Sequence, residues 1–278
     1  MEPITVAFQG ERGAFSEEAA RKLLGDSIEA VACRTFEDAF AAVVDGRVRG
    51  ALIPIENSLA GSVVRNYELL AEDNLVIRGE VFLRISHNLI APPGVRISDV
   101  RHVYSHPVAL AQCQRFIAEH DFEAVAAYDT AGAVKDVVSK GAGDAAAIAG
   151  RMAAEIYRGE IIAEEIEDHR ENYTRFLLLA KPGERIAAEG GGAPLKTSIL
   201  FRTPNTPGSL FRALAAFALR DVNMSKIESR PIAGRPWEYS FYVDIGGDTA
   251  DPNIARAIDH LREMCEVVRV LGCYPSGT

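Results

Sequence analysis

Two short stretches hold the side chains best suited to chemistry. The run Asp168-His169-Arg170-Glu171-Asn172-Tyr173-Thr174-Arg175-Phe176 sets polar residues directly before an apolar strand at 176–180. Thr174 and Arg175 enter that buried strand, where a guanidinium offers a planar fork to a carboxylate and a desolvated hydroxyl donates one oriented hydrogen bond. The second stretch is Ser105-His106-Pro107. Ser105 is predicted to cap a helix with Pro107 in its first turn, where the missing N–H costs nothing. Gln112, seven residues after Ser105, returns to nearly the same helix face, so a hydroxyl, an imidazole and an amide can line one side of a pocket. A histidine placed like His106 also suits a surface or a satisfied core.

Three other places share this design of strand end, polar turn and helix start. They are Gly10-Glu11-Arg12-Gly13-Ala14-Phe15-Ser16, Glu56-Asn57-Ser58 continuing to Gly61-Ser62, and Asp129-Thr130-Ala131-Gly132. In an open α/β sheet, ligands bind beyond the carboxyl ends of the strands. Each free helix N-terminus there favours an anion by about 0.3–1 kcal/mol when exposed. Four converging starts suit a small organic polyanion, although any α/β protein needs capped helix starts. Nucleotide binding is not expected: Gly10-x-x-Gly13 lacks the G-K-[ST] ending, and no G-x-G-x-x-G follows a strand. Cys33, Cys113, Cys265 and Cys273 are scattered, without metal-ligand spacing, so reduced thiols and no metal are expected, with Cys33 as a small core residue. No Ser/His/Asp set or carboxylate pair stands out. From the residues alone, the reading stops at a cofactor-free pocket for a small anion.

The elements that must position these groups fall into two parts. Residues 181–195, within KPGERIAAEGGGAPLK, cannot hold a periodic apolar face and read as a linker. Before it, strands at 4–9, 29–33, 50–55, 75–88, 102–104, 123–127, 145–149 and 173–180 alternate with helices, including one at 35–44 with a capping box at Thr35 and Asp38. That alternation predicts α/β architecture with largely parallel sheets. After the linker, strands at 196–202, 224–231, 238–245 and 267–271 enclose helices at 207–219 and 251–264, the ferredoxin-like order βαββαβ. In 237–245, Trp237, Tyr239, Phe241, Val243 and Ile245 alternate with Glu238, Ser240, Tyr242 and Asp244, predicting one buried and one wetter face.

Composition narrows the classes further. The 278 residues are 48% hydrophobic and 25% charged, the balance of an ordinary globular protein, and the length suggests about two domains. A net charge of −9 argues against coating nucleic acid, and a mean hydropathy of +0.01 with no long apolar run argues against a membrane span. Residues 4–8 already read as a strand rather than a targeting peptide, so a cytoplasmic location is expected.

The blocks FQGERGAFSEEAA (8–20), ALIPIENSLAGSV (51–63), YSHPVALAQC (104–113), DTAGA (129–133), NYTRF (172–176) and IESRP (227–231) together resemble the prephenate dehydratases of the monofunctional type with a C-terminal ACT domain. They lie in family order and cover nearly the whole chain. Val108 departs from the commoner SHPQ pattern, and GSVVRNYELL (61–70) also resembles the arogenate-using dehydratases.

The resemblance implies conversion of prephenate to phenylpyruvate, carbon dioxide and water, with no cofactor. It implies two periplasmic-binding-protein-like α/β subdomains, the first at 1–78 and 163–180 and the second at 79–162, with the active site between them. An ACT domain at 196–278 is implied, as are a homodimer or homotetramer and regulation by L-phenylalanine. No chorismate mutase segment is expected ahead of residue 4. By position, Thr174 matches the family's essential hydroxyl, and Arg175 the arginine beside it. Glu56, Asn57, Ser105, His106, Gln112 and Thr130 match pocket positions. Gly208, Ser209, Leu210, Asn223, Met224, Glu228, Ser229, Arg230 and Pro231 match effector-site motifs. The alternatives are an arogenate dehydratase and a non-catalytic amino-acid sensor.

Overall fold

The structure is a computed structural model that describes residues 3–186 and 192–277. A first lobe contains β1 (Thr5–Gln9), α1 (Phe15–Leu24), β2 (Glu29–Cys33), α2 (Phe36–Val44) and β3 (Gly50–Asn57). The short β4 (Gly61–Ser62), α3 (Val64–Glu72) and β5 (Val76–Arg84) follow. A second lobe contains β6 (Asn88–Ala91), β7 (His102–Ser105), α4 (Pro107–Ala111), α5 (Gln114–Glu119) and β8 (Glu123–Ala126). It continues through α6 (Thr130–Lys140), β9 (Ala145–Ala149), α7 (Arg151–Tyr157) and β10 (Glu160–Ala163). The chain then returns to the first lobe as β11 (Tyr173–Ala180). The C-terminal module is β12 (Leu195–Arg202), α8 (Ser209–Ala218), β13 (Met224–Ile232), β14 (Arg235–Gly246), α9 (Pro252–Met264) and β15 (Val267–Pro275).

The first sheet has the order β2-β1-β3-β11-β5, the second β10-β6-β9-β7-β8. Both are mixed rather than largely parallel. β11 runs antiparallel to β3 and β5, while β6 runs antiparallel to β9 and β10. The reason is the crossing between lobes: a chain that leaves one sheet and returns reverses direction on re-entry. The whole of β5 pairs with β11, so the first lobe extends to Arg84 rather than ending at 78. Ala163 still pairs with Leu89 in the second sheet, so the return begins after it. The linker centre, 187–191, lies outside the described residues.

The C-terminal sheet is antiparallel with the order β13-β14-β12-β15, the ferredoxin-like arrangement expected. One face is covered by α8 and α9, through Ile199, Phe201, Val243 and Ile245 against Phe217, Ile258 and Leu261. The other face was expected to be wetter, yet Ser240, Tyr242 and Asp244 on it are all buried. Leu200, Tyr242, Leu271 and Tyr274 share one core with Ile53, Tyr67, Ile77 and Leu177 of the first lobe. A Cβ on Gly272 would stand 2.3 Å from the carbonyl oxygen of Ile77, so the close docking of β15 on β5 depends on glycine there. Trp237 and Tyr239, on the other hand, are exposed at the turn end of the β13–β14 hairpin.

Candidate active site

The cleft between the two lobes has a volume of about 660 Å³, within the size range of small-molecule sites. Four helices of nine residues or more begin at its wall: α1 through Ala14, Phe15 and Ser16, α2 through Thr35 and Phe36, α3 through Ser62 and Val63, and α6 through Asp129 and Thr130. Thr35 forms the expected capping box with Asp38, and the Asp129 side chain caps α6. Asp129 also ties the lobes together by accepting the Glu11 N–H at 3.0 Å.

Asn57 and Thr174 meet because of a β-bulge. Arg175 pairs with Glu56 but Phe176 pairs with Pro54, leaving Ile55 as the extra residue on β3. Beyond the bulge Asn57 lies opposite Thr174. Its Nδ2 donates to Thr174 Oγ1 at 2.9 Å, while Leu59 and Ala60 N–H donate to its Oδ1 at 3.0 and 2.8 Å. Thr174 Oγ1 accepts, so its own O–H is free to donate. Asn57 also reaches Asn172 at 2.7 Å, and Asn172 reaches Gln112 at 3.1 Å. Gln112 in turn lies 2.9 Å from His87.

Thr174, Asn57, His106, Gln112 and Thr130 all line this cleft, as the sequence predicts. Three predicted pocket residues do not. Side chains alternate along β11, so Thr174 and Phe176 face the cleft while Arg175 and Leu177 face the C-terminal module. Arg175 is buried there, bonded to Glu80 at 2.7 Å, Asp244 at 2.6 Å and the Tyr274 hydroxyl at 3.1 Å. Burial opposes its charge, but Asp244, Tyr274 and Glu80 outweigh that and hold its pKa above the usual arginine value. Glu56 likewise turns to the module and pairs with Lys226 at 2.6 Å. Ser105 is fully buried and donates to the Ile148 carbonyl at 2.6 Å. The cap of α4 is His106, not Ser105: its Nδ1 accepts the Val108 N–H at 3.2 Å, with Pro107 at the first helical position.

That cap makes Nε2 the protonated nitrogen of neutral His106. Desolvation lowers its pKa, against the charge of Asp129, which raises it. Spacing alone does not point to His87 and Arg34, which line the cleft, or to Asn172, which is buried behind it and links Asn57 to Gln112. The NYTRF block contains Asn172, but nothing in its spacing shows which way it points. Arg34 lines the cleft beside the α2 cap and forms no ion pair among the described residues. Val108 lines the cleft too. Cys33 is half-buried, and Cys113 is the fully buried thiol, its pKa pushed well up by desolvation. No group of three or more His, Cys, Asp or Glu side chains that could hold a metal occurs among the described residues.

The effector-motif residues divide into two sets. Gly208 caps α8 in the left-handed conformation, Ser209 is buried beside Thr206, and Leu210 and Met224 pack on the module core. Asn223 accepts the Gly246 N–H through its backbone carbonyl, while Ser229 and Pro231 are exposed. Glu228 faces the first lobe, where its carboxylate accepts from Ser62 Oγ at 3.0 Å, and Arg230 pairs with it at 3.3 Å.

A two-lobed α/β protein with a donor-lined cleft and a docked ferredoxin-like module belongs to the class of two-lobed cleft proteins with an accessory domain. The prephenate dehydratase family profile matches residues 6–184 and the ACT domain profile residues 197–263. The chain is 46% identical to arogenate dehydratase/prephenate dehydratase 2, chloroplastic, of Arabidopsis thaliana, over 99% of this chain and 74% of the relative. It is 38% identical to the bifunctional N-acyl-homoserine lactone acylase/prephenate dehydratase of Komagataeibacter europaeus, over 98% and 95%. A prephenate dehydratase from Arthrobacter aurescens, solved in complex with L-Phe, superposes with a TM-score of 0.88 at 33% identity, over 98% of this chain and 90% of that one. The chain belongs to the prephenate dehydratase family and carries a C-terminal ACT domain. It is an enzyme of the prephenate/arogenate dehydratase type.

Proposed function

We propose that this enzyme converts prephenate to phenylpyruvate, carbon dioxide and water, a step of phenylalanine biosynthesis. The ring carboxylate leaves as carbon dioxide, and its C–C bonding pair aromatises the ring. The ring C–O bond breaks with its electrons on oxygen, and the departing hydroxide takes a proton from the solvent to become water. Charge therefore grows on the leaving oxygen only as the transition state is approached. A donor aimed there accelerates the step, whereas one that binds the ground state equally does not. The observation that carries this reading is the Thr174 hydroxyl, which accepts from Asn57 and so has its own proton to offer in the cleft. Threonine is a weak acid, so it polarises the leaving group rather than giving up its proton.

The substrate carboxylates meet neutral donors and one cation. Arg175 is already neutralised by Glu80 and Asp244, so the guanidinium role falls to Arg34, with the starts of α1, α2 and α6 around it. Arogenate, with an ammonium in place of the keto group, is the second reading. It is favoured by the plant relatives, which are named arogenate dehydratases. Purified protein assayed for phenylpyruvate from prephenate and for phenylalanine from arogenate decides between them. Turnover of neither would return the chain to the sensor reading.

Regulation by L-phenylalanine at the ACT domain belongs to this proposal, as does a homodimer or homotetramer. Exposed Phe211, Ile227 and Tyr239 support self-association of that module, and light scattering with and without L-phenylalanine tests it. Cytoplasmic residence is supported by four free cysteines, which suit a reducing compartment. No helix among the described residues is long and apolar enough to cross a membrane.

A further inference from the structure

The amides behind Thr174 form a chain whose direction is set at one end. Backbone N–H groups only donate, so the Asn57 atom facing Leu59 and Ala60 is its oxygen. Asn57 nitrogen therefore faces Thr174 and Asn172. Asn172 accepts with Oδ1, so its nitrogen points at Gln112, which must receive with Oε1. The same oxygen lies 2.9 Å from His87 Nε2, which must then carry the ring proton.

His87 is 2% exposed and Asn172 fully buried, so neither exchanges freely with bulk water. Phe15 packs edge-on against the imidazole, with ring centroids 5.5 Å apart. His87 Nδ1 is buried without a hydrogen-bond partner among the described residues, as a bare lone pair would be. The opposite tautomer would strand a buried N–H at Nδ1 and set two lone pairs against each other at Nε2, a costlier arrangement. With Oε1 engaged twice, Gln112 Nε2 is left without an acceptor among the described residues, in a side chain that lines the cleft.

We propose that His87 is a positioning residue. Through Nε2–H it locks the Gln112 amide so that the nitrogen, not the oxygen, faces the cleft and donates to a substrate carboxylate. The substrate part rests on the dehydratase reading, whereas the tautomer does not. An oxygen turned to the cleft would repel the same anion, so the sign of this one amide bears on binding.

The tautomer is read by NMR of the full-length protein labelled with ¹⁵N-histidine. The expected spectrum at neutral pH shows His87 protonated at Nε2 and bare at Nδ1. A proton on Nδ1, alone or with Nε2, overturns the assignment whether or not the enzyme turns over prephenate. In kinetics, His87→Leu removes the donor and is expected to raise KM by about tenfold to a hundredfold, with a smaller change in kcat. Gln112→Leu should add little in that background, and His87→Gln, which keeps an N–H donor, should recover most of the loss. Equal losses in His87→Leu and His87→Gln, additive with Gln112→Leu, would reduce His87 to a space-filler. Absence of any wild-type turnover defeats the dehydratase reading and leaves the NMR result to judge the tautomer.

Discussion

Thr174 and Arg175 are chain neighbours, yet the protein surrounds them by opposite means. Thr174 sits among neutral groups: Asn57, Asn172, Gln112 and His87, each linked by a directed hydrogen bond. Arg175, on the other face of β11, sits in a buried cluster of full charges with Glu80, Lys196 and Asp244, joined by the Tyr274 and Ser198 hydroxyls. The difference follows from what each region must leave unsatisfied. A charge already matched by opposite charges grips its own protein but has little left for a ligand. A neutral amide chain fixes orientation and still presents unspent donors at its ends. β11 is thus shared by the cleft and the ACT domain, with alternate residues facing each.

The sharpest way to break this comparison is at Thr174 itself. Thr174→Ala removes the donor and leaves the packing of Phe176 and Leu178 intact, so turnover should fall by roughly 10²–10⁴ with the melting temperature nearly unchanged. Steady-state kinetics beside a thermal melt checks it; retained kcat would take the hydroxyl out of the reaction. At the neighbouring position the profile should invert. Arg175→Met strands the buried Glu80 and Asp244 carboxylates, and losing one partner of such a cluster costs about 3–5 kcal/mol. The low end is expected, because Lys196 still pairs with Glu80 and Ser198 still donates to Asp244. Denaturant melts should show the loss, while KM for the substrate stays near wild type. A large rise in KM with unchanged stability would return Arg175 to the cleft.

How far the sequence carries this contrast depends on the kind of feature. Periodicity and caps are local, so α2, α6 and α9 and the βαββαβ order are legible from Thr35, Asp129, Asp251 and the alternation in 237–245. The bulge at Ile55 is not, because it appears only when β3 is laid against β11. One extra residue there puts Asn57 beside Thr174 and turns Glu56 to Lys226. Ser105, His106 and Pro107 sit at a helix start as expected, but the imidazole, not the hydroxyl, caps the helix. The buried partner of Ser105 is the Ile148 carbonyl, 43 residues away and invisible to spacing. Tyr242 and Asp244 read as the wetter face of a strand because pattern reports polarity, not what docks on it. Their partners, Tyr67 and Arg175, lie in another domain.

A milder test asks whether the neutral cleft needs any cation. Arg34 is exposed at the rim and has no carboxylate partner among the described residues. Arg34→Ala should raise KM for prephenate about tenfold, equivalent to about 1.4 kcal/mol, with kcat changed less. The effect should shrink as salt is added, because a rim charge is screened. Unchanged KM at low salt would mean that helix starts and neutral donors suffice for both carboxylates.

The smallest expected effect reaches the same amide chain through pH. Desolvation lowers the pKa of His87 below its usual 6.5, with the Gln112 hydrogen bond and Glu167 pulling the other way. Below about 6.5 the unfolded chain takes up a proton that the folded protein refuses, so more protons are bound when unfolded and stability drops as pH drops. The His87 contribution is complete above the unfolded pKa and is lost progressively as pH drops toward the folded one. His106 shifts in the same direction, so the wild-type slope alone does not isolate His87. Comparison with His87→Gln does, because that variant keeps the donor and discards the titration. Its stability difference from wild type should be constant above about pH 7 and should move in the variant's favour as pH falls below about 6. A difference that stays flat through this range would mean that the imidazole takes up its proton as readily folded as unfolded, contrary to a ring desolvated behind Phe15.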